Sequence, residues 1–532
     1  MKFSLVIISL ISFLLVAPAA AQVDIEQLPG WPKNVPENVT FAQSRGLVMA
    51  DVDGDGNLDV VVGTTAQKLY AWNGVGTKLF ESNLTGLAQY PVAVGDVVGD
   101  DAPEIVVATR SGVGGSPIPK LHVFSGGGTL LHSTTLAHEG SMHMSPTLVN
   151  LDGDPKLEII IGEHGNQTGW VYALNGDLTT LNGWPKTLDY VPATGAAVGD
   201  IDDDGQVEIV ICSFYSVYAY EIDGTLLSGF PVTYSGQSHS YDSPALAPLS
   251  GKGDLQILVA THGDSNQVHA INPDGTELAG WPYDLGDAWS FSEPAVGDVD
   301  GNGDLEVVVG HAGGSIAAEN LYVINHDGTD LAPFPLLLQN SIEGNFVLAD
   351  FTGDLRLEIL YTDNNAEEGR GNVFAVNADG DALDGWPLRV GGWTYLNGAT
   401  IADMDGDGVP EFGVLGYFES TLSVNLFRTD DYFLGQGGVH WRTHQADSRH
   451  TGRYRPVMAD DDDDDTTGDD DTTGDDDTID DDDADDDTIN DDDAADDDAT
   501  DDDDDTIDDD DMDDDTNSDD DDNDNDSGSC CG

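Results

Sequence analysis

Disulfides, basic surfaces and membrane-spanning runs are what this sequence is short of. Its 532 residues include three Cys. Cys530 and Cys531 are adjacent near the end, too close for an easy bridge to each other, and Cys212 reads as core packing. The fold is therefore expected to hold without disulfides. Lys and Arg number 18 against 102 Asp and Glu, a formal net charge of -84, which argues against nucleic acid and anionic lipid surfaces as partners. The apolar run from Phe3 to Val16 is shorter than the ~20 residues a spanning helix needs. With Met1-Lys2 before it and Ala19-Ala20-Ala21 after it, it has the pattern of a secretory signal peptide cleaved after Ala21. No other stretch could span a membrane.

The acidity is uneven. From Asp460 onward there are 43 Asp and no Lys or Arg; such a segment cannot bury a core and its charges repel, so residues 457–532 are expected to form a disordered, extended tail. It ends in Cys530-Cys531-Gly532, which would offer a point of surface attachment. The folded part is then 22–456.

That part is organised around one phrase, Asp51-Val-Asp53-Gly-Asp55-Gly-Asn57-Leu-Asp59, followed by Val60-Val61-Val62-Gly63. Oxygen-bearing side chains at every second position, with Gly56 permitting a sharp bend, gather carboxylates around one point, as a hard cation of calcium size requires. An EF-hand would run into a helix with Glu at its twelfth position; here a β-branched strand follows, so this is a strand-loop-strand motif. The phrase returns at Asp96, Asn150, Asp200, Pro248, Asp298, Asp350 and Asp403. Eight copies at roughly 45 to 54 residues have the length of four-stranded propeller blades.

A second phrase keeps the same period. Gly183-Trp184-Pro185, Gly229-Phe230-Pro231, Gly280-Trp281-Pro282, Pro333-Phe334-Pro335 and Gly385-Trp386-Pro387 close successive modules, and Gly30-Trp31-Pro32 stands alone near the start. The eighth module, from Asp403 to about Arg428, lacks this last strand. The N-terminal segment is therefore expected to complete the last blade, closing the ring and removing its open sheet edges. The basic stretch Val439 to Tyr454 is expected to strap across the blade junction, its Arg side chains meeting propeller carboxylates; a ligand site there is the alternative.

The acidic loops DVDGDGNLD, DIDDDGQVE, DVDGNGDLE and DMDGDGVPE, each followed by an aliphatic strand, resemble those of the FG-GAP/VCBS-repeat propellers of bacterial exported proteins, which are similar to the integrin α-subunit propeller. The resemblance spans nearly all of 28–456. It implies an all-β propeller; the integrin ring has seven blades, and the eight loops here argue for eight. The Phe-Gly and Gly-Ala-Pro phrases of the family are replaced by others, such as Ser292-Glu293-Pro294-Ala295-Val296-Gly297.

The resemblance also implies calcium ligands, from side chains at loop positions one, three, five and nine and a backbone carbonyl at seven. Loop one would use Asp51, Asp53, Asp55 and Asp59 with Asn57; loop four Asp200, Asp202, Asp204 and Glu208 with Gln206. Loop six would use Asp298, Asp300, Asn302 and Glu306 with Asp304; loop eight Asp403, Asp405, Asp407 and Glu411 with Val409. Loop three (Asn150, Asp152, Asp154, Glu158) carries Pro155 in place of Gly, and loop seven (Asp350, Thr352, Asp354, Glu358) has one weaker ligand. Loop two has Val98 at a ligand position, leaving Asp96, Asp100 and Glu104. Loop five (Pro248, Ser250, Lys252, Gln256) has lost the site, a Lys supplying the positive charge itself.

Alternating strand direction places a second set on the opposite rim: His164, His262 and His311 after second strands, and His143, His239, Tyr241, Trp289, Phe291, Trp393 and Tyr395 before first strands. Exposed aromatics beside polar groups suit carbohydrate stacking or a protein contact; wedges between blades are the other reading. Three His at equivalent positions could instead converge on a transition metal. No nucleophile or zinc-helix motif is legible. The expectation is an exported calcium-binding propeller, at the cell surface or secreted, acting as a binding or adhesion module for an extracellular glycan or protein. The alternatives are a polysaccharide lyase or hydrolase using the opposite rim, and a structural surface or matrix component.

Overall fold

The computed structural model describes residues 25–455 apart from 39–42, 113, 240–242, 252, 287–289, 291, 312–319, 339, 364–368 and 429–431. The leader and the Asp-rich tail lie outside the described residues. The second strand of each module is apolar on both faces, as in Val60-Val61-Val62 and Ile159-Ile160-Ile161, all buried. A strand of that kind needs cover on either side, and a ring of packed sheets supplies it. The architecture is an all-β propeller of eight four-stranded blades.

Blade one shows the plan: Val48–Ala50 at the axis, Asp59–Thr64, Lys68–Asn73, and Lys78–Asn83 outermost, all antiparallel. The acidic loop joins the first two strands. In blade six the outermost strand shrinks to a bridge between Leu321 and Leu336. The core lies between blades: Val48, Val61 and Leu69 of blade one pack with Val94, Ile105 and Phe124 of blade two. Cys212 is fully buried in the strand Glu208–Ser213 of blade four.

The ring closes through its N-terminus. Lys33–Pro36 pairs antiparallel with Thr421–Arg428, the third strand of blade eight, and Glu26–Gln27 continues along the same strand. Where the aromatic-Pro phrase carries Trp31, Trp184 or Trp281, its indole links one blade to the next. Trp184 Nε1 donates to Ile222 O at 2.8 Å and Trp281 Nε1 to His326 O at 3.0 Å. Trp31, lone in the sequence, does the same across the closure, donating to Gly74 O of blade one at 2.9 Å.

The C-terminal segment departs from the expected strap. Instead of crossing one junction it winds around the axis as a plug. Val439–Trp441 pairs with the innermost strand of blade seven, and Arg442 O accepts Ile401 N of blade eight at 3.1 Å. The carbonyls of Ser448, Arg449, Thr451 and Gly452 then accept Val94, Leu148, Val198 and Leu246 N–H at 2.8–3.0 Å, from blades two, three, four and five in turn. The innermost strands offer those N–H groups because they have no sheet neighbour on the axial side, so the plug satisfies donors that closure alone would leave unpaired. Small residues make room for it. A Cβ on Gly199 would come 3.2 Å from Arg453 Cδ, and one on Gly297 would come 3.2 Å from His440 Cβ. The Ala-Val-Gly-Asp phrase therefore lines the channel.

Candidate metal centres

In loop one the first Asp builds the turn. Asp51 Oδ1 accepts Gly54 N at 2.8 Å and Oδ2 accepts Gly56 N at 2.8 Å, with Gly56 left-handed at φ 87°. The same two-oxygen grip recurs from Asp96, Asp350 and, at the fourth and fifth following residues, from Asp200, Asp298 and Asp403. Loop two holds the left-handed position with Asp101 and loop seven with Leu355, conformations that cost L-residues energy and persist where surroundings fix them.

The ninth position has a constant task. One oxygen of Asp59, Glu104, Glu158, Glu208, Glu306, Glu358 and Glu411 accepts the N–H of the loop's second residue at 2.7–3.2 Å. This folds a carboxylate inward under the loop and strips it of water. Burial is accordingly the main cause that pushes Asp59, Glu104, Glu158, Glu358 and Glu411 up to about 7, and Glu208 and Glu306 up to about 8, with neighbouring loop carboxylates adding to it in each.

Among the described residues, groups whose ligand atoms converge within 4.8 Å of one another include Asp51, Asp53 and Asp59; Asp96, Asp100 and Glu104; Asp152, Asp154 and Glu158; Asp200, Asp202 and Glu208; and Asp298, Asp300 and Glu306. Loop two thus assembles three acids despite Val98, and loop three does so despite Pro155. Asp55, Asp204 and Asn302 instead cap the turn, each accepting the N–H of the second following residue, those of Asn57, Gln206 and Asp304. Donor chemistry fits a hard cation in these loops. Glu208 and Glu306 are 1% and 0% exposed, and in each Oε1 is buried without a hydrogen bond. An ionised carboxylate there with nothing to meet would be costly, and a cation would supply what it lacks.

The remaining loops differ. In loop five Gln256 takes the ninth position, its amide oxygen accepting Ser250 N at 2.8 Å and its Nε2 donating to Asp254 at 3.2 Å; hydrogen bonds hold that turn, and Lys252 lies outside the described residues. In loop seven both oxygens of Glu358 are engaged, one by Thr352 Oγ1 at 3.0 Å, and Asp350 also accepts Gly437 N of the segment leading to the plug. Asp354 accepts Arg356 N. Loop eight holds a cation of its own. Arg428 Nη1 donates to Glu411 at 2.9 Å and to Asp405 at 3.3 Å, and Nη2 donates to Asp407.

The rim opposite the loops carries the second set of His and aromatic residues. His143 and His164 lie with ring centroids 4.2 Å apart and tilted at 40°, and burial holds both below the usual range, His164 at about 4. His164 Nε2 is occupied by Pro192 O at 3.0 Å. His262 faces Ser238 and Phe214, and burial lowers His239 to about 3. His311 is tied through its backbone to Asn320 and Ile342. The rings of His164 and His262 thus both meet residues of blade four, while both ring nitrogens of His239 and Nε2 of His311 are buried without a hydrogen bond. Trp393 packs edge-on against Tyr417 at 5.7 Å, and Tyr395 is half-buried beside them. Tyr241, Trp289 and Phe291 lie outside the described residues. Sequence reasoning passed over a tighter group in blade four, where Tyr190, Phe214 and Tyr215 lie at 4.9–5.4 Å from one another and Tyr215 is 44% exposed. Its signal was present, an aromatic before the first strand and two after the second.

Residues 249–309 match the model of the FG-GAP-like repeat. That stretch runs from loop five through the whole of loop six. No curated protein matches the chain by sequence. Among solved structures, the chain is similar to the V. cholerae biofilm matrix protein Bap1, with 12% identity, a TM-score of 0.54, and coverage of 82% of this chain and 97% of that one. It is also similar to the quinohemoprotein alcohol dehydrogenase of Comamonas testosteroni, with 11% identity, a TM-score of 0.48 and 76% of each chain covered. The likeness to Bap1 is one of fold.

Proposed function

We propose that this eight-bladed propeller is an exported calcium-binding module that presents a ligand-binding surface outside the cell. The observation that carries the calcium reading is the pair Glu208 and Glu306, buried carboxylates whose free oxygen lies among two further Asp oxygens. Calcium would be held by Asp51, Asp53 and Asp59, by Asp200, Asp202 and Glu208, by Asp298, Asp300 and Glu306, and by the corresponding acids of loops two and three. It supplies positive charge where carboxylates otherwise repel, and so fixes the turn between the first two strands of a blade. Export rests on the leader pattern of residues 1–21. A solvated Asp-rich spacer, with Cys530 and Cys531 as an attachment point, suits a protein displayed at a surface, and a role in a matrix outside the cell, as the name of Bap1 states for that protein, is compatible with it.

For the ligand, the exposed Tyr215, with the half-buried Tyr190 and Phe214 against it, supports a glycan, since a sugar ring stacks on an aromatic face. The test is a pair of thermal melts of the full chain in calcium and in chelator, repeated with a neutral polysaccharide panel. A rise in melting temperature of several degrees with calcium supports structural loops, and no rise overturns them. Glycan binding without turnover supports a binding module; release of unsaturated sugars would make it an enzyme. Calcium-dependent self-association with neither would make it a structural component.

A further inference from the structure

A separate site stands at the axis, on the rim away from the acidic loops. Arg45, Tyr90, Glu293 and Glu343 each precede the innermost strand of a blade (one, two, six and seven), so the topology brings them to one mouth around His444 of the plug. The cavity offers about 50 Å³ to the centres of water molecules, and one water needs roughly 10–15 Å³ of such space, so a headgroup of a handful of heavy atoms fits.

Its walls carry opposite charge. On one side the Arg45 guanidinium lies 4.9 Å over the Tyr90 ring and Nη1 donates to Tyr90 Oη at 3.2 Å. It meets no carboxylate among the described residues, in a chain of formal net charge -84, and its Nε is buried without a hydrogen bond. On the other side Glu293, 5% exposed, accepts Gln445 N through Oε1. Its Oε2 lies 2.9 Å from His444 Nδ1 but in a direction that leaves it without a hydrogen bond, and His444 Nε2 is buried without one too. Glu343 adds a second carboxylate to that wall. A planar guanidinium with an open edge grips a carboxylate, and carboxylates opposite it attract an ammonium. A simple anion would face both Glu residues and the field of the whole chain, and a simple cation would leave Arg45 unmatched.

We propose that this axial pocket binds the zwitterionic headgroup of a small α-amino acid, its carboxylate on Arg45 and its ammonium toward Glu293 and Glu343. The inference names a ligand class for the binding reading above and rests on that reading, but not on calcium in the loops.

Calorimetric titration of the full chain with glycine, L-alanine, acetate and methylamine, in calcium and again in chelator, tests it. Saturable binding of the two amino acids, with neither acetate nor methylamine binding comparably, is the expected result. Arg45→Gln and Glu343→Gln should each weaken it by about tenfold or more while keeping the parental melting temperature; Arg45→Lys, which retains the charge, guards against a folding defect in the first. Acetate binding as tightly as glycine, no binding by either amino acid, or unchanged affinity in folded variants would overturn the proposal. A calcium-stabilised protein that ignores amino acids would sink the pocket alone and leave the calcium reading standing.

Discussion

Trp31 is the sharpest probe of ring closure. Its indole is 8% exposed, meets Trp72 edge-on at 6.2 Å and donates to Gly74 O. Truncating a buried aromatic of this size to Ala costs about 3–5 kcal/mol, whereas Trp31→Phe keeps most of the burial and loses one hydrogen bond, about 1 kcal/mol. Trp184 is the natural control, 7% exposed and donating to Ile222 O, because it performs the same task inside a continuous stretch of ring. Similar local losses should have different consequences. In Trp31→Ala the freed segment carries residues 25–37 away from Thr421–Arg428, leaving that strand's outer edge unpaired. In Trp184→Ala the chain on both sides still holds the blade. Amide hydrogen exchange of the full chain should therefore show residues 421–428 exchanging at least ~10-fold faster in Trp31→Ala than in Trp184→Ala. Equal exchange of 421–428 in the two variants would refute closure by the N-terminal segment.

Further outcomes follow from the loops and the channel. Arg428→Gln leaves Asp405, Asp407 and Glu411 facing one another, so it should destabilise the chelated protein by about 1–3 kcal/mol and give a larger calcium-induced rise in melting temperature than the parent. Gly199→Val sets a branched side chain against Leu246, Leu255 and Arg453; a loss of about 1–3 kcal/mol is expected, seen as a lower denaturation midpoint. In chelator, the melting temperature should rise as pH falls from 8 to 6.5. The sign follows from folded-state values near 7–8 for Glu208, Glu306 and their counterparts against 4.5 unfolded: the folded state binds more protons, and its advantage is lost as pH rises through 8. Saturating calcium should flatten that slope. Below pH 6.5 the trend is opposed by His164, His239 and His450, held near 4, 3 and 3 by burial, whose contribution is present above 6.5 and lost toward their folded values.

Much of the ring was legible because two phrases repeat in step. The acidic loop marks the first turn of every blade, Trp31-Pro32 without a module of its own marks the closure, and the count of eight follows. What escaped detection depends on contacts that no local pattern encodes. The plug binds through its own carbonyls, which any residue presents, so Ser448, Thr451 and Gly452 carry no signal. Arg428 reaches loop eight only because strand pairing sets Glu411 opposite it, and the axial pocket draws single residues from blades far apart in the chain. The glycines before Asp200 and Asp298 were visible as a phrase, yet their purpose depends on a segment more than 130 residues downstream.

The closing strand also sets an order of assembly. Gln27 Nε2 bonds Asn425 Oδ1 across a separation of 398 residues, and the plug comes after Asn425 in the chain. A polypeptide emerging from its N-terminus carries the outer strand of its last blade first and must hold it unpaired until nearly every other blade exists. Contacts of such long sequence separation form late, so blades one to seven have time to stack as an open arc before the ends meet. A protein built in this order would complete its folding only after its last blade has been synthesised.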